Sequence, residues 1–373
     1  MAQCALCGVE VHRLGQGERG HICPECAHEA YHSFREHGYY QKHNPPPSTR
    51  TIKVSTVPAA QPPALRGAAS FDARKALAAL DAVIVGQQLA KEQLLTAVHL
   101  HIARIHGAKG IQKTNVLLAG PTGTGKTTLL ETLAGVAGVP FAAMESTQIT
   151  PAGYVGSDIT ECLVRLYRHS GNDLTTAQHG IIWIDEIDKL AADPSHMEGG
   201  RGAVQRELLR MIEGDTYQID TDGREIHSRD AQIVPFDTRD VLFIVGGAFQ
   251  DLCECGDLTM GAIVSAGFAR ELIARFTIFA RTEPLTDTEM VAIQEAHVLP
   301  EMQAMLALVG GSMSVDRAAM LAVSRRARDT GMGARELRRI WLQLIQPAYA
   351  RMCLAGRGHR LVVRVRDVDL VAA

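Results

Sequence analysis

The sequence predicts an α/β fold in which a parallel sheet carries the chemistry, a smaller helical region follows it, and a short cysteine-rich module precedes it. Three observations predict this. The apolar run Asn115-Val116-Leu117-Leu118-Ala119 reads as a buried strand that passes through a glycine-rich turn into the helical stretch Thr128-Leu129-Leu130-Glu131. A second buried strand, Ile181-Ile182-Trp183-Ile184, ends in the acidic pair Asp185-Glu186. Of the chain's eight cysteines, Cys4, Cys7, Cys23 and Cys26 crowd its first 26 residues.

At 373 residues the chain is too long for one compact core and predicts roughly two or three domains. Apolar residues make up 46% and charged residues 21%, and no window approaches the ~20 apolar residues that a membrane helix needs. The opening Met1-Ala2-Gln3-Cys4 lacks the basic start and apolar stretch of a secretory signal, so a reducing, cytoplasmic location is expected. A net charge of −3 argues against a strongly electrostatic nucleic-acid binder.

Cys4-x2-Cys7 and Cys23-x2-Cys26 form two pairs separated by 15 residues, the spacing of a treble-clef or ribbon Zn2+ site. Four thiolates complete a closed tetrahedral shell, so such a metal is structural. A disulfide pair and unrelated free thiols are the alternatives. A segment this short cannot bury enough apolar surface to fold alone, so zinc would supply much of its folding free energy. Nearby His12, His21 and His28 read as solvated surface residues, and Cys253 and Cys255 as a loop feature.

Residues 44–63 then hold Asn44-Pro45-Pro46-Pro47, Pro58, Pro62 and Pro63. Proline fixes φ and removes a backbone donor, which predicts an extended, semi-rigid linker. Helical patterning begins at Ala73, and Leu89 to Ile105 repeats apolar residues at spacings of three and four. No internal repeat is visible.

Gly120-Pro121-Thr122-Gly123-Thr124-Gly125-Lys126-Thr127, followed by Thr128, is a phosphate-binding loop in its required strand-to-helix context. The glycines let backbone N–H groups turn inward around phosphate, and the helix N-terminus adds its dipole. Lys126 is placed to meet the β- and γ-phosphates, and the Thr127 hydroxyl to ligate Mg2+. In the acidic pair, Asp185 is expected to hold Mg2+ through water and Glu186 to orient the attacking water. ATP hydrolysis is the predicted chemistry.

Several further segments fall into a pattern with these. Ile84-Val85-Gly86-Gln87, Gly120 to Thr127, Ala152-Gly153-Tyr154-Val155-Gly156, Ile184-Asp185-Glu186-Ile187-Asp188-Lys189, Ile212-Glu213-Gly214, Leu242-Phe243-Ile244-Val245-Gly246-Gly247-Ala248-Phe249 and Gly333-Ala334-Arg335-Glu336-Leu337-Arg338 resemble the ClpX family of AAA+ ATPases in order and spacing. The resemblance covers most of the chain. It implies a zinc module at 1–43, a proline-rich linker at 44–68, an AAA+ domain at 69–282 and a small sensor-2 domain at 283–373. It also implies a homohexameric ring that pulls protein substrates through a central pore. Ile84 and Val85 are then expected to line the adenine pocket, and Arg335 to be the sensor arginine near the phosphates. Arg275 is expected to reach the γ-phosphate of the neighbouring subunit; an ordinary helix-end ion pair is the plainer alternative. Tyr154, with Val155 on a glycine-flanked loop, is expected to press on polypeptide irrespective of its sequence.

The chain also departs from the family pattern. Members that partner the ClpP peptidase carry a long loop with an Ile/Leu-Gly-Phe tripeptide, but here the interval Gln250 to Ala274 is short. Its one candidate, Ala266-Gly267-Phe268, lies so close to Arg275 that packing is expected of Phe268. The loop that is rich in Arg-Lys-His in the family reads Gly223-Arg224-Glu225-Ile226-His227, and the segment Asp193 to Gly202 is short. The favoured reading is an ATP-driven protein unfoldase without a peptidase. A specificity subunit of a Clp-type protease and a nucleic-acid-acting AAA+ motor are the alternatives.

Overall fold

The structure is a computed structural model describing residues 2–3, 10–11, 15–17, 20–22, 71–149, 159–192, 200–221, 233–256 and 258–370. Cys4, Cys7, Cys23 and Cys26 lie outside the described residues, as do Tyr154, Val155 and the 193–199 and 223–227 segments.

The chain divides into a unit of residues 1–64 and a unit of residues 65–373. In the first, strand β1 (Ala2–Gln3) pairs antiparallel with β2 (Glu10–Val11), and β3 (Gly15–Gly17) with β4 (Gly20–Ile22).

The second unit opens with α1 (Ala73–Val83) and α2 (Gln88–Ile105), followed by β5 (Asn115–Ala119), α3 (Lys126–Ala137), β6 (Phe141–Glu145), α4 (Glu161–His169), α5 (Leu174–Gln178) and β7 (Ile181–Asp185). Next come α6 (Gly200–Glu213), the antiparallel pair β8 (Thr216–Asp220) and β9 (Ile233–Asp237), and β10 (Leu242–Gly247). Three short helices, α7 (Gln250–Glu254), α8 (Met260–Ser265) and α9 (Arg270–Ile273), lead to β11 (Phe276–Arg281).

Five strands pair in the order β11-β5-β10-β7-β6, all parallel. A parallel sheet needs cover on both faces, which is why its strands are continuous apolar runs. Side chains alternate between the faces. Val116, Leu118, Trp183 and Ile244 pack with Leu80 of α1, Leu94 and Val98 of α2 and Leu129 and Leu133 of α3. Leu117, Ile182, Ile184, Phe243 and Val245 pack with Leu163 and Leu166 of α4 and Leu208 and Met211 of α6.

A third apolar cluster belongs to the C-terminal part: α10 (Asp287–Ile293), α11 (Leu299–Ala307), β12 (Ser312–Val315), α12 (Arg317–Asp329), α13 (Ala334–Ala355), β13 (Arg360–Val363) and α14 (Val365–Leu370). Its entry into α10 is fixed by a capping box between Thr286 and Glu289. The expected helical region therefore also carries two short parallel strands, β12 and β13. Four residues are too few for a period-2 pattern to stand out. Inside this cluster the buried Gln294 donates to the Ser324 hydroxyl at 2.8 Å and accepts from the Trp341 indole at 2.9 Å, which satisfies groups that would be costly to bury unpaired.

One expectation is corrected. Cys253 is no loop residue: it is buried inside α7, and Cys255 is exposed at its end. A helix of five residues is too short to show apolar periodicity. Phe268 is 4% exposed with its ring centroid 5.9 Å from that of Phe249, a packing role. Among the described residues no helix is long and apolar enough to cross a membrane.

His101 ties α2 to the start of β7, for its Nε2 lies 2.8 Å from the His179 carbonyl oxygen and therefore donates to it. Burial pushes its pKa down to about 4, from an ordinary 6.5. Between those values the unfolded chain binds the proton and the native chain does not, so stability is complete above pH 6.5 and is lost as pH falls toward 4. The loss expected from this one group is about 3 kcal/mol. Urea unfolding at pH 7 and at about pH 4.5 checks it: His101→Gln should lose less on acidification than the parent chain, and an equal loss in both would contradict the assignment.

Candidate nucleotide site

The loop between β5 and α3 lies at the carboxyl end of the parallel sheet, where ligands of such sheets bind. Gly120 has φ +146°, and a Cβ there would sit 2.0 Å from the Thr282 hydroxyl and 2.6 Å from the Thr282 carbonyl. Gly123 has φ +77°, and its Cβ would meet the Met332 carbonyl at 2.1 Å. Neither position admits a side chain. The loop is tied further by Thr124, whose hydroxyl donates to the Pro121 carbonyl at 2.9 Å and lies 2.8 Å from the hydroxyl of Thr282.

Lys126, the first residue of α3, is buried, and its Nζ donates to the carbonyls of Gly120 at 2.7 Å and Pro121 at 3.0 Å. Burial lowers its pKa, while the carboxylates of Asp185 and Asp188 oppose the shift. Thr127 accepts from the Trp183 indole N–H at 3.3 Å, so the strand that carries the acids also orients the hydroxyl.

At the end of β7, Asp185 accepts from the Glu186 backbone N–H at 2.8 Å. Glu186 takes φ +58°, an uncommon conformation for a residue with a side chain. It is held there by the Ser146 hydroxyl, which donates to its carbonyl at 2.7 Å, and its carboxylate pairs with Lys189 at 2.6 Å. Strand β10 lies between β5 and β7, so the acidic pair is not on the strand adjacent to the loop, yet both acids face the same cavity.

That cavity, of about 470 Å³, is lined by Thr122, Gly123, Gly125, Lys126, Thr127 and Thr128 of the loop, by Asp185 and Glu186, and by Arg335. Arg335 arrives because the Ala334 N–H donates to the Gly123 carbonyl at 3.2 Å, docking the start of α13 on the loop. Gly120, Pro121 and Thr124 shape the loop from behind without lining the cavity. Ile84 is buried beside the loop, 3.1 Å from where a Cβ on Gly125 would stand. Val85 is half-buried and, like Ile84, outside the cavity lining.

Arg275 is away from this cavity. It is half-exposed and pairs with Glu213, and its carbonyl accepts from the buried Asn115 side chain at 3.1 Å. Lys113 steadies the same corner by donating to the carbonyls of Ile212 at 2.9 Å and Thr238 at 3.0 Å.

Asp188, Lys189, Gly247, Ala248 and Ala334, to which the sequence alone assigns no role, complete the lining. Burial raises the pKa of Asp188, and the N–H groups of Ala248 and Phe249 hydrogen-bond its carboxylate. Their only signal was membership in the motifs quoted above.

The family described as "ATPase family associated with various cellular activities (AAA)" matches residues 116–248. "C-terminal, D2-small domain, of ClpB protein" matches residues 285–365. Among curated relatives, "ATP-dependent Clp protease ATP-binding subunit ClpX 2" of Wolinella succinogenes is 34% identical over 296 residues, spanning 72% of this chain and 74% of the relative. "ATP-dependent Clp protease ATP-binding subunit ClpX 3" of Methylococcus capsulatus is 31% identical over 395 aligned positions, spanning 90% of this chain and 85% of the relative. The ClpX of Treponema denticola is 33% identical over 325 positions, 76% of this chain and 78% of the relative. With its AAA ATPase domain and relatives aligned over most of their length, the chain belongs to the ClpX family of ATP-hydrolysing protein unfoldases.

Proposed function

We propose that this chain is the subunit of a homohexameric ring that threads polypeptide through its pore, powered by ATP hydrolysis in the cavity described above. The observation that supports it is the convergence of Lys126, Thr127, Asp185, Glu186 and Arg335 on one cavity at the sheet's carboxyl end. The donor set suits a magnesium nucleotide. Thr127 and Asp185 would hold Mg2+, which neutralises charge on the β- and γ-phosphate oxygens when bound. Lys126 and Arg335 supply fixed positive charge where negative charge spreads in the transition state. Glu186 accepts the proton of the attacking water. Ile84 and Val85 contact the adenine. Arg275, outside its own subunit's cavity, serves the neighbour's site, so hydrolysis depends on assembly. Tyr154 and Val155 grip the substrate.

The relatives' names include a protease, but the interval between β10 and β11 supports unfolding without ClpP. Apart from residue 257 it is three short helices and their turns, with Phe268 inside the core. Avidity from ring symmetry multiplies an existing contact and cannot replace one. The zinc module at 1–43, with Cys4, Cys7, Cys23 and Cys26 as ligands, rests on cysteine spacing. The proposed domain limits are 44–68 for the linker, 69–282 for the ATPase domain and 283–373 for the small domain, and the working location is the cytoplasm.

Glu186→Gln keeps the side chain's shape but cannot take a proton, so it should bind ATP and hydrolyse it slower by roughly a hundredfold or more; near-normal turnover would remove the assigned role. Lys126→Ala should weaken nucleotide binding itself, and titration with a labelled ATP analogue decides. Purified protein should hold one zinc per chain, and chelation should unfold residues 1–43 while basal hydrolysis persists, because the proline linker separates the folding units. Loss of most hydrolysis on removing the module would show the linker reading to be wrong. Finally, the chain should unfold a fluorescent client with ATP and ClpP present while leaving the client intact, and Tyr154→Ala should block the unfolding. Released peptides would overturn the reading.

A further inference from the structure

The turn Ile84–Gln87 joins α1 to α2 and is bent by two successive residues in the left-handed region, Gly86 at φ +69° and Gln87 at φ +58°. A glutamine is uncommon there and needs something to hold it. Gln87 is 8% exposed, and its amide makes both hydrogen bonds of a strand partner with the main chain of Glu283: Nε2 donates to the Glu283 carbonyl at 2.8 Å, and Oε1 accepts the Glu283 N–H at 2.7 Å. Glu283 follows Thr282, whose N–H donates to the Ala119 carbonyl at 2.8 Å and whose hydroxyl lies 2.8 Å from that of Thr124 in the phosphate loop. Turn and loop are thus fastened to the same dipeptide.

The other end of the turn is held by a second buried polar group. Lys91 is 2% exposed, and its Nζ donates to the Ile84 carbonyl at 2.7 Å and pairs with Asp81 at 2.7 Å. Burying an ammonium is costly unless its partners are well placed, and one of the two partners here is the main chain of a residue packed on the loop. Neither Gln87 nor Lys91 lines the cavity. A turn needed only for the core could be held by apolar packing; this one is held at one end through the Ile84 carbonyl and at the other through the Gln87 side chain.

We propose that Gln87 and Lys91 are positioning residues of the nucleotide site: they fix the Ile84–Val85 backbone against the phosphate loop and so set how selectively the base of a nucleoside triphosphate is held. The proposal rests on the reading of Ile84 and Val85 as the base-contacting residues. It separates the base from the phosphates, because the pinned turn touches the side of the loop while Lys126 and Thr127 face the cavity.

The test is displacement of a fluorescent ATP analogue from the purified full chain by ATP, GTP and magnesium tripolyphosphate, a probe without a base. Gln87→Met keeps the side chain's bulk and removes both hydrogen bonds, and it should weaken ATP roughly tenfold. Its ATP-over-GTP preference should shrink, and its tripolyphosphate affinity should stay within about twofold of the parent chain's, since the phosphate contacts remain. Lys91→Met is the independent second variant, with the same pattern expected. Equal weakening of ATP and tripolyphosphate in the two variants would show that both residues merely support the fold and would overturn the proposal, as would unchanged ATP selectivity. Ile84→Ala distinguishes the two levels. If it lowers the ATP-over-GTP preference and Gln87→Met does not, the positioning role falls and the base reading stands; if it leaves the preference intact, both fall.

Discussion

The phosphate loop is gripped by neighbouring main chain at two points where no side-chain carbon fits, and the rest of the site depends on that grip. Thr282, just past the end of β11, closes on Gly120, and Met332, just ahead of α13, closes on Gly123. One contact comes from the end of the sheet and the other from the C-terminal helices, so the loop's shape is set by two parts of the fold at once. Arg335 can reach the cavity because Met332 to Ala334 are already pressed on the loop. Replacing either glycine would push a carbon into a carbonyl, and the cost would fall on the seam that carries the site.

The charges in the cavity follow from where the sheet places them. Lys126 starts α3 just after β5, Asp185 ends β7, and Asp188, three residues further on, meets the N–H groups that follow β10, so β5 and β7 bring the charged groups to one edge and β10 brings the donors that receive Asp188. Burial lowers the pKa of the lysine and raises that of Asp188, so these unlike groups are partly desolvated together. A site of this kind is preorganised for a ligand that brings its own negative charge and a cation. Arg275 sits at a different corner, where its guanidinium pairs with Glu213 and its carbonyl accepts from the Asn115 side chain.

Much of this was legible in the sequence because the strands are buried on both faces and the loop needs glycine. Asn115 to Ala119 and Ile181 to Ile184 read as apolar runs, and Gly120, Gly123 and Gly125 stand at positions of positive φ. The ClpX resemblance and the ATPase chemistry rested on those segments. What could not be read is what depends on distant pairing. Strand order is a matter of topology, and nothing in the residues of β10 says that it lies between β5 and β7. Lys91 and Gln294 are polar residues in helical patterns whose partners are far away or in the main chain, so they look like ordinary solvated positions. The helix holding Cys253 and the strands β12 and β13 were too short for a period to show.

In the function proposed above, hydrolysis in this cavity drives mechanical work on a protein substrate. The direct measurement records ATP hydrolysis and unfolding of a stable fluorescent client in the same sample over a range of ATP concentrations, beside a non-hydrolysable analogue. One shared dependence on ATP concentration and no unfolding with the analogue are expected; unfolding that proceeds with the analogue, or hydrolysis that saturates without any unfolding, would show that hydrolysis here does not drive the work.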